Sequence, residues 1–302
     1  MAKKEVLPRA NQIVLATNFL YRDYAPLVGE RQIDDTDGIR GDLALIAIAN
    51  ATSLGVRVVA ADGGSAPSFL SALERFKDGG LTVVTSDIAG RGPQRRRAFE
   101  VAAELPDVKV IGYFQAEKDL SRFLAKITRP FWGERVDLVI PSREPVLFKQ
   151  HFPDYMRESE LQVNATYDWM MKRAELMGED QSFDWFFGPV FFRNDPEIVA
   201  LFLKKYEMYS PVKSRVGAKP NPEMHSDGHY FPIIQALFDK KKVEGVEIPF
   251  VYPPTQRANE MSSAKIATFR ERRRKDAAAY RLEALHFLEY LKGNPKSKIK
   301  VA

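Results

Sequence analysis

Short apolar runs alternate with longer stretches of helical periodicity over the first half of the chain. The apolar runs are rich in β-branched residues and are bounded by turn residues, a pattern that predicts β-strands. The predicted strands lie at 12–17, 56–61, 81–86, 108–114 and 135–141, and the predicted helices between them at 42–54, 66–76 and 91–105. The polar segment DDTDG before the first helix is expected to be a loop. Regular alternation of strand and helix predicts an α/β fold, a mostly parallel sheet flanked by helices.

The rhythm changes after the fifth predicted strand. In chain order we expect a long helix over 155–177, two short apolar segments around Gly188, a helix capped by Asp195, a helix from near Ser226, and a last strand within 246–254. The segment 262–291 is helix-forming and contains the basic cluster RERRRK. We therefore expect a globular body over 1–260 and a basic helical C-terminal extension over 261–302.

Composition narrows the class of protein. The chain of 302 residues is 45% hydrophobic and 28% charged, which is ordinary for a soluble globular protein. No apolar run reaches the length of a membrane-spanning helix, and the first residues lack an apolar segment of signal-peptide length, so we expect a cytoplasmic location. Cysteine is absent, which excludes disulfides, thiolate zinc sites and cysteine nucleophiles.

The positive charge of the chain is concentrated at its C-terminal end. Residues 265–302 hold eleven Lys and Arg against four Asp and Glu, a balance of +7, so the net charge of +5 leaves −2 for the remainder. Leucines at 282, 285, 288 and 291 suggest a docking stripe on this helix. The helix could pack on the body or on a second copy of the chain, or it could hold the chain at an anionic membrane surface or on a nucleic acid.

Polar features follow four successive predicted strands. They are Thr17 and Asn18; Asp62, Gly63, Gly64 and Ser65; the segment 90–95 with Arg91, Gln94 and Arg95; and Glu117 with Asp119. Ligands of α/β proteins bind outside the carboxyl ends of the strands, where these features would meet. Together they describe a nucleotide-diphosphate site: an acid for the base or ribose, cations for the phosphates, and carboxylates for a divalent metal.

Each feature also has an ordinary structural explanation. Glu117 and Asp119 could simply charge the first turn of the following helix, where the helix dipole favours acids. An aspartate followed by two glycines is common in turns, and arginines on a helix commonly form a solvated face.

Three segments resemble the GT-A-fold glycosyltransferases. VRVVAADGGSAPSFLSAL is similar to the second strand, acidic turn and helix of that family, GRGPQRRRAFEVA to its basic loop before a helix, and GYFQAEKDL to its strand ending in an Asp-X-Asp motif. Their order and spacing match over about residues 10–125. The pattern is similar to mannosylglycerate-synthase-like and family-2-like enzymes. The resemblance implies a Rossmann-like GT-A fold, a UDP- or GDP-linked sugar donor, an unknown hydroxyl acceptor, and Mn²⁺ or Mg²⁺ as cofactor.

The resemblance also implies roles for single residues. The donor half, about 10–125, would bind the nucleotide sugar, and the acceptor half, about 126–260, would bind the acceptor. The donor-binding candidates are Thr17, Asn18, Asp62, Gly63, Arg91, Gln94, Arg95 and Glu117, and the sugar or acceptor candidates are Trp185, Gly188 and His229. Asp227 is the candidate catalytic base of an inverting enzyme, and in a retaining enzyme it would bind a sugar hydroxyl.

A metal site is implied by the same resemblance. Asp119 is the main candidate ligand, with Glu117 beside it although the motif usually begins with aspartate. Gln256 or Asn259 stands where such enzymes often have a histidine, and His225 is a rival third ligand.

Two other hypotheses come from different classes of protein. A sugar-phosphate nucleotidyltransferase usually carries a glycine-rich segment with a lysine directly after its first strand, and TNFLYRDYAP lacks one. A non-catalytic α/β protein could bind anionic partners through the basic tail.

Overall fold

The computed structural model describes most of the chain. The described residues are 9–27, 29–86, 88, 90–133, 135–206, 226, 228–263 and 265–294. The candidate base Asp227 and the candidate ligand His225 lie outside them, as does the segment between 206 and 226.

Seven strands of the described residues form one sheet. They are β1 Ile13–Phe19, β2 Arg57–Asp62, β3 Leu81–Thr85, β4 Val110–Tyr113, β5 Leu138–Arg143, β6 Val190–Arg193 and β7 Val243–Ile248. Their order across the sheet is β3-β2-β1-β4-β6-β5-β7. Strand β6 is antiparallel to both of its neighbours, and every other adjacent pair is parallel.

Helices cover both faces of this sheet. They are α1 Thr36–Ser53, α2 Pro67–Leu73, α3 Arg91–Glu104, α4 Leu124–Gly133, α5 Pro145–His151, α6 Asp154–Arg173, α7 Pro196–Leu203, α8 Tyr230–Phe238, α9 Pro254–Glu260 and α10 Ile266–Gly293. The predicted fold class, a mostly parallel sheet flanked by helices with a C-terminal helix, is confirmed.

Alternate residues of each central strand supply two separate cores, because successive side chains of a strand point to opposite faces. In β1, Val14 and Ala16 belong to the core that α3, α6, α8 and α10 cover. Ile13 and Leu15 belong to the core beneath α1, α2 and α4. The burial of both faces explains why these strands read as continuous apolar runs in the sequence.

Gly112 allows β4 and β6 to pack closely. It pairs with Phe191 in the antiparallel register. A Cβ atom at Gly112 would lie 2.3 Å from Cε1 of the Phe191 ring. Because Gly112 has no side chain, it leaves room for this buried ring.

The bounds of two predicted elements differ most from the structure. Helix α1 begins within DDTDG, which was expected to be a loop, because the Asp35 carboxylate caps it by accepting the backbone N–H of Gly38 at 2.8 Å. Asp42 lies inside that helix and pairs with Arg31 at 2.6 Å instead of starting it. The last strand, β7, begins and ends earlier than predicted and stops before Pro249, which cannot donate to a sheet ladder.

Helix α10 packs against α6 and α8. Its buried residues include Ala284, Phe287, Leu288 and Leu291, whereas Leu285 of the predicted leucine stripe is 41% exposed. Residues every three positions drift around a helix with 3.6 residues per turn, so the four leucines cannot share one buried face. Neither α10 nor any other helix of the described chain combines the length and apolar character needed to cross a membrane.

Candidate functional site

The direction of the crossovers reverses between β1 and β4. Strands β2 and β3 lie on one side of β1, and β4 lies on its other side. Ligands of open α/β sheets bind at such a switch point, outside the carboxyl ends of the strands. The Tyr113 hydroxyl, at the end of β4, donates to Oδ1 of Asn18 near the end of β1 at 3.0 Å. This hydrogen bond spans the switch point.

Residues of α3 extend the same network. Asn18 donates through Nδ2 to Oε1 of Gln94 at 3.3 Å, and Nε of Arg95 donates to the Tyr113 hydroxyl at 3.0 Å. The Arg95 guanidinium also lies 5.1 Å from the centre of the Tyr113 ring. Helix α3 follows Gly90, whose φ of 123° favours glycine, and this turn directs the first residues of the helix to the strand ends.

His229 reaches this network from the second half of the chain. Its ring lies edge-on to Tyr113 with centroids 5.8 Å apart, and it is 4% exposed. The neighbouring Gly228 lies against the side chain of Arg95. The structure thus brings together three donor-binding candidates, Asn18, Gln94 and Arg95, and one acceptor candidate.

Gly63 is placed beside Gln94 by the turn after β2. Its backbone N–H donates to the carbonyl oxygen of Phe19 at 2.9 Å. A Cβ atom at Gly63 would lie 2.5 Å from Nε2 of Gln94. A side chain at position 63 would therefore displace the Gln94 amide.

Two donor-binding candidates use their polar atoms within the fold. Asp62 is 7% exposed, and its carboxylate accepts the backbone N–H groups of Gly64 at 3.1 Å and Ser65 at 2.9 Å. The Thr17 hydroxyl is fully buried and donates to the carbonyl oxygen of Phe114 at 2.9 Å. In this structure both shape the strand ends.

Glu117 lies at the carboxyl edge and belongs to a charged group. Its carboxylate is 3.7 Å from Arg40 of α1, which also pairs with Glu260 at 3.0 Å. Burial raises the pKa of Tyr21 well above its usual value, and the adjacent Glu117 carboxylate adds to that rise. Glu260 is 2% exposed and accepts the Tyr252 hydroxyl at 2.9 Å.

Asp119 has different partners. Its carboxylate accepts Nδ2 of Asn50 at 2.7 Å and the backbone N–H of Ser121 at 2.9 Å. Arg40 and Asn50 stand ten residues apart on α1, about 15 Å along the helix axis. The two acids of the predicted metal motif therefore contact separate parts of α1.

The described members of the predicted metal set do not converge on one cation. Gln256 is 3% exposed and donates to Oε1 of Glu260 at 3.2 Å. Since Glu260 shares Arg40 with Glu117, Gln256 belongs to the group around Glu117 rather than to the group around Asp119. Across the described ranges no group of three or more His, Asp or Glu could hold a metal ion. His225 lies outside those ranges, so its part in a metal site stays a prediction.

Trp185 packs as a core residue. It is 1% exposed, and its indole N–H donates to the Asp168 carboxylate at 2.8 Å. Its ring meets Tyr167 edge-on at 5.3 Å. Because the ring is buried, neither of its faces is open to a sugar in this structure. This is common for a buried Trp, which packs its apolar ring in the core and uses its N–H in a hydrogen bond.

Gly188 lies at the carboxyl edge beside Lys118. Its φ of +106° favours glycine, and a Cβ atom there would be 3.3 Å from Nε2 of Gln115 and 3.7 Å from Nζ of Lys118. The Lys118 ammonium donates to the carbonyl oxygen of Phe187 and lies 4.8 Å from the centre of that ring. Burial lowers the pKa of Lys118 to about 7, although the charge of the Glu160 carboxylate acts to raise it.

The stability of the fold should depend on the protonation of Lys118. The pKa of Lys118 is about 7 in the folded state and keeps the ordinary lysine value in the unfolded chain. Between these two pKa values the unfolded state therefore binds more protons than the folded state. The free energy of unfolding should therefore rise from about pH 7 to about pH 10 by more in the wild type than in Lys118→Met. Urea titrations at several pH values measure this, with the exposed Lys126→Met as control. Parallel pH profiles for wild type and Lys118→Met would contradict the prediction.

A buried group of charges completes the edge and was missed in the sequence. Arg143, the last residue of β5, donates to Glu160 at 2.6 Å and to Asp184 at 2.7 Å. Arg273 of α10 contacts the same Glu160 at 3.0 Å. The strand-end reasoning that selected Asn18 could have selected Arg143, whereas nothing in the sequence indicated that Arg273 points inward.

Comparisons with known proteins give similarity of fold only. No protein-family model and no curated protein matches the chain. Among solved structures, glucosyl-3-phosphoglycerate synthase from Mycobacterium tuberculosis, in complex with Mn²⁺, UDP and glucosyl-3-phosphoglycerate, is 12% identical with a TM-score of 0.46, over 88% of this chain and 82% of that chain. 4-Diphosphocytidyl-2C-methyl-D-erythritol synthase from Anaerococcus prevotii is 11% identical with a TM-score of 0.44, over 84% and 98%.

A third similar structure is a putative nucleotide-diphospho-sugar transferase from Desulfovibrio desulfuricans. It is 11% identical with a TM-score of 0.40, over 92% of this chain and 98% of that chain. The similarity of these three structures to the chain is distant. At this level of identity it assigns no activity, and the function has to be argued from the residues of the chain itself.

Proposed function

We propose that the chain is a glycosyltransferase that moves a sugar from a UDP- or GDP-linked donor to a hydroxyl acceptor. The observation that supports this best is the network of Asn18, Gln94, Tyr113 and Arg95 across the switch point of the sheet. It combines amide groups suited to a base or ribose with a cation suited to a phosphate. His229 and Gly188 lie at the same edge, where the acceptor would bind.

The roles follow from the chemistry of the transfer. The bond between the anomeric carbon and the diphosphate oxygen breaks, the acceptor oxygen bonds to that carbon, and the acceptor loses its proton. Arg91 and Arg95 would stabilise the leaving diphosphate, and Glu117 would bind the ribose or the donor sugar. Asp227 stays our candidate for the base that takes the proton in an inverting reaction.

Dependence on Mn²⁺ or Mg²⁺ is kept as a prediction of the sequence resemblance alone. Binding a cation through Asp119 would require its carboxylate to release Asn50 and the Ser121 N–H. Because the described candidates do not fit one ion, no step of the proposed reaction is assigned to a metal. The division into a donor half over 10–125 and an acceptor half over 126–260 is likewise a proposal.

The Gly63→Ala variant tests the place of the donor. The new methyl group would push Gln94 away and break its hydrogen bond to Asn18, so we expect affinity for UDP or GDP to fall about 10-fold, or about 1.4 kcal/mol. Isothermal titration calorimetry measures this.

Gly64→Ala is the matched control for this variant. Gly64 has a φ of +98°, and no heavy atom lies within 4 Å of the point that a Cβ atom would occupy, so alanine strains the turn without touching Gln94. Nucleotide affinity should survive in Gly64→Ala. Equal nucleotide affinities in the wild type and both variants would contradict nucleotide binding at this edge of the sheet.

A further inference from the structure

The chain beyond β4 folds back over the segment that leads into β6. The antiparallel pairing of these two strands ends at Tyr113 and Val190. Continued by two residues, the same register sets Gln115 opposite Gly188. A turn follows, in which the backbone N–H of Lys118 donates to the carbonyl oxygen of Gln115 at 2.8 Å. This turn returns the Lys118 side chain to the segment before β6.

Two nitrogen donors border a space beside Gly188. A Cβ atom at this glycine would lie 3.3 Å from Nε2 of Gln115 and 3.7 Å from Nζ of Lys118. The φ of +106° favours glycine, so the backbone keeps this space free of a side chain. Gln115 is partly exposed, and within the described ranges its amide forms no hydrogen bond. A ligand can therefore reach this amide from solvent.

Lys118 is a buried cation without a carboxylate partner. It is 8% exposed, and among the residues that the structure describes no ion pair joins its ammonium to a carboxylate. Glu117 and Asp119 are its neighbours in the sequence but contact residues of α1 instead. A charge that is removed from water is costly unless an opposite charge compensates it. The ammonium of Lys118 thus lacks the partner that a bound anion would supply.

The charged group next to Lys118 does not supply that partner. Lys118 and Arg143 both lie against the Phe187 ring, at 4.8 Å and 5.1 Å from its centre. Arg143 pairs with Glu160 and Asp184, and Glu160 is shared with a second arginine, from α10. With Lys118 protonated, these three cations and two carboxylates leave one positive charge at this edge of the sheet. Such an excess favours the binding of an anion.

We propose that Lys118 and Gln115 bind an anionic oxygen group of the substrate, a phosphate or a carboxylate, beside Gly188. The ammonium supplies the opposite charge and the amide supplies a second N–H donor, a combination that suits an oxyanion. Gly188 leaves room for the anion to approach both donors. The anion has two sources, the diphosphate of a nucleotide donor or an acid group on the acceptor. The site goes beyond the proposed function, because any substrate with such a group could occupy it.

Binding of inorganic phosphate, acetate, UDP and uridine to the full chain tests this inference. Isothermal titration calorimetry is done with Mg²⁺ present and at pH 6, where Lys118 is charged because its pKa is about 7. Lys118→Met should weaken phosphate or acetate binding about 10-fold, as expected when a charge-assisted hydrogen bond is lost. Gln115→Glu should weaken it at least as much, because the new carboxylate repels the anion and competes for the ammonium.

Lys109→Met is the matched control. Lys109 is exposed and lies directly before β4, at the opposite edge of the sheet. Its replacement removes the same charge from the chain and should change the affinity for each probe less than about twofold.

Uridine separates the two sources of the anion. If the site holds the nucleotide diphosphate, both variants should weaken UDP binding about 10-fold and leave uridine binding unchanged, because uridine has no phosphate. If the site holds an acid group of the acceptor, UDP affinity should stay unchanged, and phosphate or acetate binding should fall when it is measured with UDP bound.

The outcomes also separate the inference from the proposed function. Equal affinities of the wild type, Lys118→Met and Gln115→Glu for phosphate, acetate and UDP would overturn the inference while the glycosyltransferase proposal stands. Equal losses for UDP and uridine would overturn it too, because they indicate a general disturbance of the fold. Phosphate binding that needs both residues, in a protein that binds no nucleotide, would keep the site and contradict the proposed function. Because Gln115 is partly exposed, Gln115→Glu gives the same test if Lys118→Met does not fold.

Discussion

Replacing Glu160 by alanine is expected to lower the free energy of unfolding by about 3 to 5 kcal/mol, the usual cost of removing one partner of a buried ion pair. The Glu160 carboxylate is 3% exposed and lies 2.6 Å from Arg143 and 3.0 Å from Arg273. Its loss leaves one carboxylate, Asp184, for Arg143 and removes the ion-pair partner of Arg273. Urea denaturation followed by far-ultraviolet circular dichroism measures the change.

Glu158→Ala provides the matched control for Glu160. Glu158 lies on the same helix and is exposed, so its replacement should change the free energy of unfolding by less than about 0.5 kcal/mol. A loss below about 1 kcal/mol for Glu160→Ala would show that the charges at this edge are solvated and that α6 and α10 are not joined through them.

Phe287→Ala should destabilise the protein by about 3 to 5 kcal/mol, the range for truncating a buried aromatic residue. Phe287 of α10 is 1% exposed, stacks on Phe231 of α8 with ring centroids 4.3 Å apart, and meets Tyr206 edge-on at 5.3 Å. The free energy of unfolding from urea titration measures the loss. A large effect means that the C-terminal helix shares the core of the body.

Leu285→Ala is the control on the same helix. Leu285 is 41% exposed, so its truncation removes little buried surface and should cost less than about 1 kcal/mol. Equal and small losses in Phe287→Ala and Leu285→Ala would contradict the packing of α10 and would favour a separate C-terminal extension.

The sheet could be predicted from the sequence because its strands are buried on both faces. Such strands appear as compact apolar runs, and the helices between them keep their own period. The insertion of β6 between β4 and β5 could not be predicted, since pairing between strands about 80 residues apart along the chain depends on long-range packing rather than on local pattern.

The candidate site was predictable at the level of strand ends and less so at the level of side chains. Asn18, Gln94 and Arg95 meet, as their positions beyond the first and third predicted strands suggested. The direction of a side chain beyond a strand depends on the local turn, so Glu117 and Asp119 could not be separated in advance. Trp185 illustrates the same limit, because an aromatic residue beside a glycine suits a core as well as a sugar platform.

Lys118 and the arginines of α10 show what a sequence pattern conceals. A lysine between two acids looks like part of a solvated loop, yet Lys118 is 8% exposed and contacts Phe187. The cluster RERRRK looks like a solvated basic face, and the structure divides it into the inward Arg273 and the outward Arg274. Only the packing of α10 on the body decides which arginine faces the site.

The central claim is that the chain acts on nucleotide-diphosphate sugars, and slow hydrolysis of a panel of UDP- and GDP-sugars tests it most directly. The purified protein is incubated with each donor, with and without Mn²⁺, and the release of nucleoside diphosphate and free sugar is measured. We predict that at least one donor is cleaved to these two products. No binding or cleavage of any donor at millimolar concentration in either condition would contradict the claim, and formation of nucleotide sugar and pyrophosphate from a sugar phosphate and a nucleoside triphosphate would establish a nucleotidyltransferase instead.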